Sequence, residues 1–416
     1  MKKTILDLGK SELQSKKALV RVDFNVPQNE DGTVAEDLRI RAALPTIKHL
    51  VENGARVILV SHLGRPKGKR KEEFSLKPVA MYLDGLVRKE LGEKYAPVLF
   101  GEDCVGPKAK VMVDTLPDGR ICLLENVRFY EGEEKNDPEF ARQLADLADL
   151  YINDAFGAAH RAHASTEGVS RYLSPSLAGV LMDREISMLS SALDNPQRPV
   201  ATIIGGAKVS SKIGVLDNLL DKVDVIVIGG AMAFTFLKAR GLETGKSLVE
   251  EDRLDYCLKL EKKAKELGVK LILPRDVVCA PELKAGLKTV TVKADSIPAD
   301  LMGLDVGPET VAEVKEALES ARTILWNGPM GVFEIEEFQN GTFEIIDTLV
   351  RLTGEKGVKT IVGGGDSVAA LKEKKVDNSA LTHVSTGGGA SLEFLEGIEL
   401  PGIACLETAQ VQVQAN

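Results

Sequence analysis

Short apolar runs rich in valine and isoleucine recur along the chain, each followed by a longer segment of helical period, and this alternation restricts the fold more than any other feature. Ala18-Leu19-Val20-Arg21-Val22, Arg56-Val57-Ile58-Leu59-Val60, Val200-Ala201-Thr202-Ile203-Ile204 and Val225-Ile226-Val227-Ile228 are such runs. Between the first two, Ile40, Ala43, Leu44, Ile47, Leu50 and Val51 fall on one helical face, and Asn53-Gly54 supplies a stop. Strand, helix, strand in repetition calls for crossover connections and mainly parallel sheets covered on both faces. The expected class is α/β. At 416 residues the chain exceeds one ordinary core and fits two doubly wound domains of about 200 residues each.

Residues 171–199 contain Ser174-Pro175-Ser176, a helical segment near residues 182–193, then Asn195-Pro196-Gln197-Arg198-Pro199. A helix followed by a proline-broken turn reads as an interdomain connector. The expected division is an N-terminal domain over 1–175, a connector over 176–198 and a C-terminal domain over 199–402. A long loop within one larger domain is the alternative.

The N-terminal residues have no sustained apolar run behind Lys2 and Lys3, so no secretory signal is expected, and no stretch approaches the length of a membrane span. Cys104, Cys122, Cys257, Cys279 and Cys405 are odd in number, widely spaced and form no C-x-x-C pair. That usage fits free thiols in a reducing compartment, and a cytoplasmic location is expected. The net charge is −9; residues 1–185 carry 28 basic and 29 acidic side chains, the remainder 25 and 33. Neither half is basic enough for a nucleic-acid surface, so an anion site must be a local cluster.

Ligands of open parallel sheets bind beyond the carboxyl ends of the strands. In the second half those ends are glycine-rich: Gly205-Gly206-Ala207-Lys208, Gly229-Gly230-Ala231, Gly363-Gly364-Gly365-Asp366-Ser367 and Gly387-Gly388-Gly389-Ala390. Glycine admits a ligand close to the backbone, and the following helix start offers free N–H groups to phosphate. One such turn equally serves tight strand-to-helix packing; four on one face point to phosphate or nucleotide. In the first half the ends are polar and cationic: Arg21-Val22-Asp23-Phe24-Asn25, Ser61-His62-Leu63-Gly64-Arg65-Pro66, Glu125-Asn126-Val127-Arg128-Phe129, and residues 153–163 with His160, Arg161 and His163. Arg39 stands at the start of the helix described above. A single arginine is usually a surface partner, but five, with three histidines, point to a small polyanion that planar guanidinium forks can grip.

Other motifs fail. Gly241-Leu242-Glu243-Thr244-Gly245-Lys246-Ser247 is one residue short of a P-loop and follows no strand, so a polar loop is expected. No G-x-G-x-x-G follows the first strand, which weighs against a nicotinamide-dependent dehydrogenase. Zincin, EF-hand, nucleophile-elbow and protein-kinase signatures are missing.

Arg21-Val22-Asp23-Phe24-Asn25-Val26-Pro27, residues 61–66, 125–129, 154–163 and 205–212, Trp326-Asn327-Gly328-Pro329 and residues 363–367 together resemble the phosphoglycerate kinase family, collinearly from about residue 17 onward. The resemblance implies two domains facing each other across a hinged cleft, with the C-terminal tail, about 403–416, packing back on the first. It implies a 3-phosphoglycerate site from Asp23, Asn25, Arg39, His62, Leu63, Gly64, Arg65, Arg128 and Arg161. It implies a site for ATP or ADP from Gly205, Gly206, Lys208, Lys212, Gly229, Gly230, Gly303, Asn327, Glu334, Gly363, Gly364, Gly365, Asp366 and Ser367, with Mg²⁺ reached through Asp366. Arg39 and Lys208 are the expected catalytic pair. The implied reaction is reversible phosphoryl transfer between 1,3-bisphosphoglycerate with ADP and 3-phosphoglycerate with ATP. A monomer is expected, with neither nucleic acid nor membrane as partner. A catalytically silent nucleotide-binding module is the rival, and its mark would be loss of Arg39, Lys208 or Asp366; all three are present.

Overall fold

A computed structural model of the chain describes residues 2–409. These residues form two compact units, one of residues 2–186 with 399–409, the other of residues 187–398.

The first unit is built on a six-stranded parallel sheet. Its strands are β1 (Lys17–Arg21), β2 (Arg56–Val60), β3 (Leu99–Gly101), β4 (Ile121–Leu124), β5 (Leu150–Asn153) and β6 (Ser176–Ala178), ordered β3-β4-β2-β1-β5-β6. Every residue of β4 and β5 is buried, as expected of strands covered on both faces. The helix Leu38–Glu52 turns the expected stripe inward: Ile40, Ala43, Leu44, Ile47, Leu50 and Val51 are all buried. Each large aliphatic there contributes roughly 1.5–3 kcal/mol relative to exposure. Register then sets the site. Arg21 lies opposite both Val60 and Asn153, so the segments leaving β1, β2 and β5 emerge at one edge of the sheet.

The segment 176–198 begins with a strand rather than a loop: β6 pairs with β5, and the helix Val180–Leu193 carries the chain from one unit to the next. A three-residue strand beside a proline is too short to show a period. The chain returns to the first unit from residue 399. There the Gly402 amide donates to the Ala159 carbonyl (2.8 Å), the Glu407 amide to Ser176 (2.9 Å) and the Lys3 amide to Glu407 (2.7 Å). The expected packing of residues 410–416 lies outside the described residues.

The second unit holds another six-stranded parallel sheet. Its strands are β7 (Val200–Ile204), β8 (Val225–Ile228), β9 (Lys270–Ile272), β13 (Thr323–Asn327), β14 (Lys359–Gly363) and β15 (His383–Val384), ordered β15-β14-β13-β7-β8-β9. Between β9 and β13 come β10 (Asp276–Ala280), β11 (Val290–Lys293) and β12 (Met302–Val306), a small antiparallel sheet ordered β11-β10-β12. It breaks the crossover pattern, and its short, partly exposed strands carry no decisive periodicity. In the main sheet Asn327 pairs with both Ile204 and Gly363, which brings the glycine turns after β7, β13 and β14 level with one another.

Candidate functional site

In the first unit the strand-end residues form one connected polar network. Arg39 reaches back from its helix to the loop after β1, with Nη1 3.2 Å from the Asp23 carboxylate and donating to the Asn25 carbonyl at 2.9 Å. The Asn25 side-chain oxygen accepts the Gly64 amide (2.9 Å), and the Gly64 carbonyl accepts from Arg128 Nη1 (2.8 Å). Gly64 has φ +62°, and a Cβ there would come within 2.3 Å of the Phe74 ring, so only glycine fits this junction. Asn126 pins the same loop at both ends, donating to the carbonyls of Leu63 (2.7 Å) and Phe74 (2.9 Å) while accepting the Arg128 amide (3.0 Å).

His62 lies buried within this cluster. Its Nδ1 is 3.1 Å from Arg21 Nη2 and 3.9 Å from Asp23. Burial, then the charges of Arg21, Arg128, Arg161 and Arg39, push its pKa well below the usual histidine value. Burial, then the charges of Arg128, Arg21, Arg161 and His160, take His163 down to about 3. Both rings are therefore neutral at pH 7, and the positive charge resides on the arginines. Burial also lowers Arg128 to about 10, still cationic at neutral pH, with its Nε 3.3 Å from Glu134. Arg161 Nε donates to His160 at 3.1 Å. Asp23, Asn25, Arg39, His62, Leu63, Gly64, Arg128 and Arg161 are thus gathered at one sheet edge. Arg65 follows in the same loop but points its exposed side chain outside the network's hydrogen bonds.

In the second unit a pocket of about 290 Å³ opens beside the glycine turns. Gly206, Gly230, Gly303, Glu334 and Asp366 line it. Gly205 and Gly229 form the layer behind: a Cβ on Gly205 would lie 2.0 Å from the Pro329 carbonyl oxygen, and one on Gly229 2.5 Å from the Met330 sulfur. The loop resembling a P-loop instead braces the wall, with Ser247 Oγ accepting the Gly303 amide at 2.9 Å. Phe234, Pro274, Val277, Leu304, Met330, Val332 and Phe333 complete an apolar slot that the sequence reading did not name. Phe234 sits on the helix Met232–Ala239, buried almost throughout, so nothing in its pattern separates a pocket wall from core.

Next to the slot lies a polar group. Lys212 Nζ donates to Asn327 Oδ1 (2.6 Å), and burial lowers the lysine's pKa against the opposing pull of Asp366 and Glu396. The Gly328 amide donates to Ser367 Oγ (2.6 Å). Asn327 Nδ2 is buried without a partner and lies 3.0 Å from where a Gly364 Cβ would stand, so a free donor faces the turn of residues 363–365. Gly365 opens the helix Gly365–Glu373, whose first turn carries Asp366. Lys208 is exposed and joins neither the slot nor the Lys212 group.

Among the described residues no group of three or more His, Cys, Asp or Glu side chains is arranged to hold a metal. A lone Asp366 at the pocket edge fits a Mg²⁺ that takes most of its ligands from phosphate and water.

The family model for phosphoglycerate kinase matches residues 8–398. The chain is 56% identical to phosphoglycerate kinase of Prochlorococcus marinus over 406 residues, covering 98% of this chain and 99% of that one. It is 53% identical over 408 residues to the cytosolic phosphoglycerate kinase of Triticum aestivum, covering 98% and 99%. The structure of phosphoglycerate kinase from Coxiella burnetii superposes with a TM-score of 0.86 at 42% identity, over 97% of this chain and 98% of that one. That from Pyrococcus horikoshii OT3 gives 0.79 at 32%, with the same coverage. With its parallel-sheet units, its clustered arginines and its glycine-edged pocket, the chain belongs to the phosphoglycerate kinase family, kinases whose acceptor is a carboxyl group.

Proposed function

We propose that the first unit's network holds 3-phosphoglycerate or 1,3-bisphosphoglycerate and that the second unit's pocket holds ATP or ADP, the chain moving a phosphoryl group reversibly between them. The observation that carries this reading is the contrast between the units. One collects arginines and two neutral histidines around fixed backbone groups, which suits a small polyanion. The other sets an apolar slot beside glycine turns, a helix start and the unpartnered Asn327 amide, which suits a base and its phosphates.

In this reading Asp23, Asn25, Arg39, His62, Leu63, Gly64, Arg65, Arg128 and Arg161 take the three-carbon acid. Gly205, Gly206, Gly229, Gly230, Gly303 and Glu334 frame the nucleoside, while Lys208, Lys212, Asn327 and residues 363–367 face its phosphates. Mg²⁺, when bound, neutralises phosphate charge, and Asp366 is the side chain placed to hold it. The acceptor is a carboxylate, already ionised at pH 7 because an ordinary carboxyl titrates near ~4, so no base is required. What remains for the protein is alignment and charge. Arg39 and Lys208 supply positive charge to the transferring phosphoryl from the two substrates' sides. Closure would shield the acyl phosphate from water.

No helix among the described residues is long and apolar enough to cross a membrane. A cytoplasmic monomer working on small molecules is the accompanying proposal. A coupled assay with ATP, Mg²⁺ and 3-phosphoglycerate, reading acyl phosphate formed, tests the whole. Nucleotide binding with no transfer would favour the silent module instead.

A further inference from the structure

Glu133 and Ser165 are fully buried in the first unit and take no part in the contacts described above. They stand one residue away from His62 through Arg21, itself fully buried. Arg21 spends its fork on three fixed acceptors: Nε donates to Ser165 Oγ (2.7 Å), Nη1 to the Val22 carbonyl, and Nη2 meets His62 Nδ1 at 3.1 Å. Ser165 is held twice by Glu133, its hydroxyl donating to Oε1 (2.6 Å) and its amide to Oε2 (2.9 Å). The backbone around them is tied down as well. The Ala164 amide donates to the Glu133 carbonyl (3.0 Å), and the Tyr151 hydroxyl donates to the Ser165 carbonyl (2.8 Å).

The direction of every proton in this chain follows from chemistry. A guanidinium has donors and no acceptor, so His62 Nδ1 must accept from Arg21 and the ring's one proton must sit on Nε2. Ser165 Oγ receives from Arg21, so its own proton goes to the Glu133 carboxylate. His62 Nε2 makes no hydrogen bond among the described residues. We infer that Glu133 and Ser165 are positioning residues: acting through Arg21, they hold His62 as the Nε2–H tautomer, so that the ring offers the three-carbon acid a hydrogen-bond donor. This deepens the substrate site proposed above and rests on that reading for the identity of the acceptor. Without the Ser165 hydroxyl, the buried Arg21 loses its Nε acceptor and turns toward the Glu133 carboxylate. Nδ1 is then released, and the ring is free to exchange tautomers.

The test is made on the full chain with ¹⁵N-labelled histidine, His62 being assigned by its loss in His62→Gln. Long-range ¹H–¹⁵N spectra of the unliganded wild type between pH 6 and 8 should show a bare Nδ1 and a protonated Nε2. Ser165→Ala should draw the two ¹⁵N shifts together and raise KM for 3-phosphoglycerate about tenfold, the loss of about one hydrogen bond, with KM for ATP changed less than about twofold. Ser165→Thr, which keeps the hydroxyl, should restore both readouts. Glu133→Gln, whose amide cannot accept from both Ser165 donors, should behave as Ser165→Ala does. A proton on Nδ1 in the wild type overturns the inference, and so does an unchanged ¹⁵N pattern with unchanged KM in Ser165→Ala. If a variant does not fold, the wild-type tautomer still decides. A wild type with the expected tautomer but no transfer to 3-phosphoglycerate would sink the proposed function and leave the hydrogen-bond chain standing.

Discussion

Arg39 and Lys208 are placed very differently although the proposed reaction uses both. Arg39 is pre-set by Asp23 and the Asn25 carbonyl, whereas Lys208 extends into solvent. Loss of a donor that stabilises developing charge costs on the order of 10²–10³ in rate, so Arg39→Ala and Lys208→Ala should each lower kcat by that amount. Arg39→Ala should also raise KM for 3-phosphoglycerate, and Lys208→Ala should leave it nearly unchanged. Steady-state kinetics read both, and near-normal turnover in either variant removes that residue from its role. Asp154 has a different effect. Its Oδ1 accepts the amides of Leu181 (2.9 Å) and Met182 (3.2 Å) at the start of the helix Val180–Leu193, yet burial raises its pKa to about 7. The folded chain thus keeps a proton that the unfolded chain has lost above about pH 4. Stability is therefore lost as pH rises from about 4 to 7, and the penalty is complete above 7. Asp154→Asn keeps an acceptor oxygen without the charge. Its advantage over wild type in urea unfolding should grow between pH 5 and pH 8, by about 1–3 kcal/mol; an equal difference at both pH values would contradict the assignment.

At the level of elements, the polar edge of the first sheet is held by side chains that bind backbone. Asn126, at the end of β4, ties together both ends of residues 63–74 and the Arg128 amide. Glu125 beside it accepts from the Leu76 amide (2.9 Å) and from the Ser75 hydroxyl (2.8 Å). Asn126→Ala leaves two carbonyls and an amide without partners in a buried place. A loss of about 2–4 kcal/mol in denaturant unfolding is expected, with weaker binding of 3-phosphoglycerate because Gly64 and Arg128 lose their frame. Calorimetric titration against ATP should change little, since Asn126 belongs to the other unit. Equal loss of both ligands would mean that the loop is not the element affected.

For the whole molecule, two substrate sites proposed in separate compact units make ligand-driven closure the expectation to test. Small-angle scattering should give a smaller radius of gyration with 3-phosphoglycerate and a non-hydrolysable ATP analogue together than with neither, and each ligand alone should have a smaller effect. An unchanged curve with both bound would count against closure. The chain crosses between the units through the helix Val180–Leu193 and again near residue 398, so any such motion is confined to two strands of chain.

The α/β class, the two parallel sheets and the edge of each sheet where its polar or glycine-rich strand ends collect can all be read from the residues alone. Those properties are local: Val- and Ile-rich runs set strands, a 3.6-residue stripe set the helix after β1, and ligand chemistry collects at strand ends. Glycine at 205, 229 and 363 and arginine at 128 and 161 were legible for that reason, and arginine at 39 from its place at a helix start. Which distant residues share a bond came instead from the way the chain packs. Glu133 lies in a short run of acids, yet its carboxylate is buried against Ser165, which joins it to Arg21. The apolar slot joins Phe234, Val277 and Met330 from three separate segments, and the antiparallel strands β10–β12 pair across turns that no period marks. Burial and partner choice depend on contacts far apart in sequence, and these form only when the sheet registers bring them together.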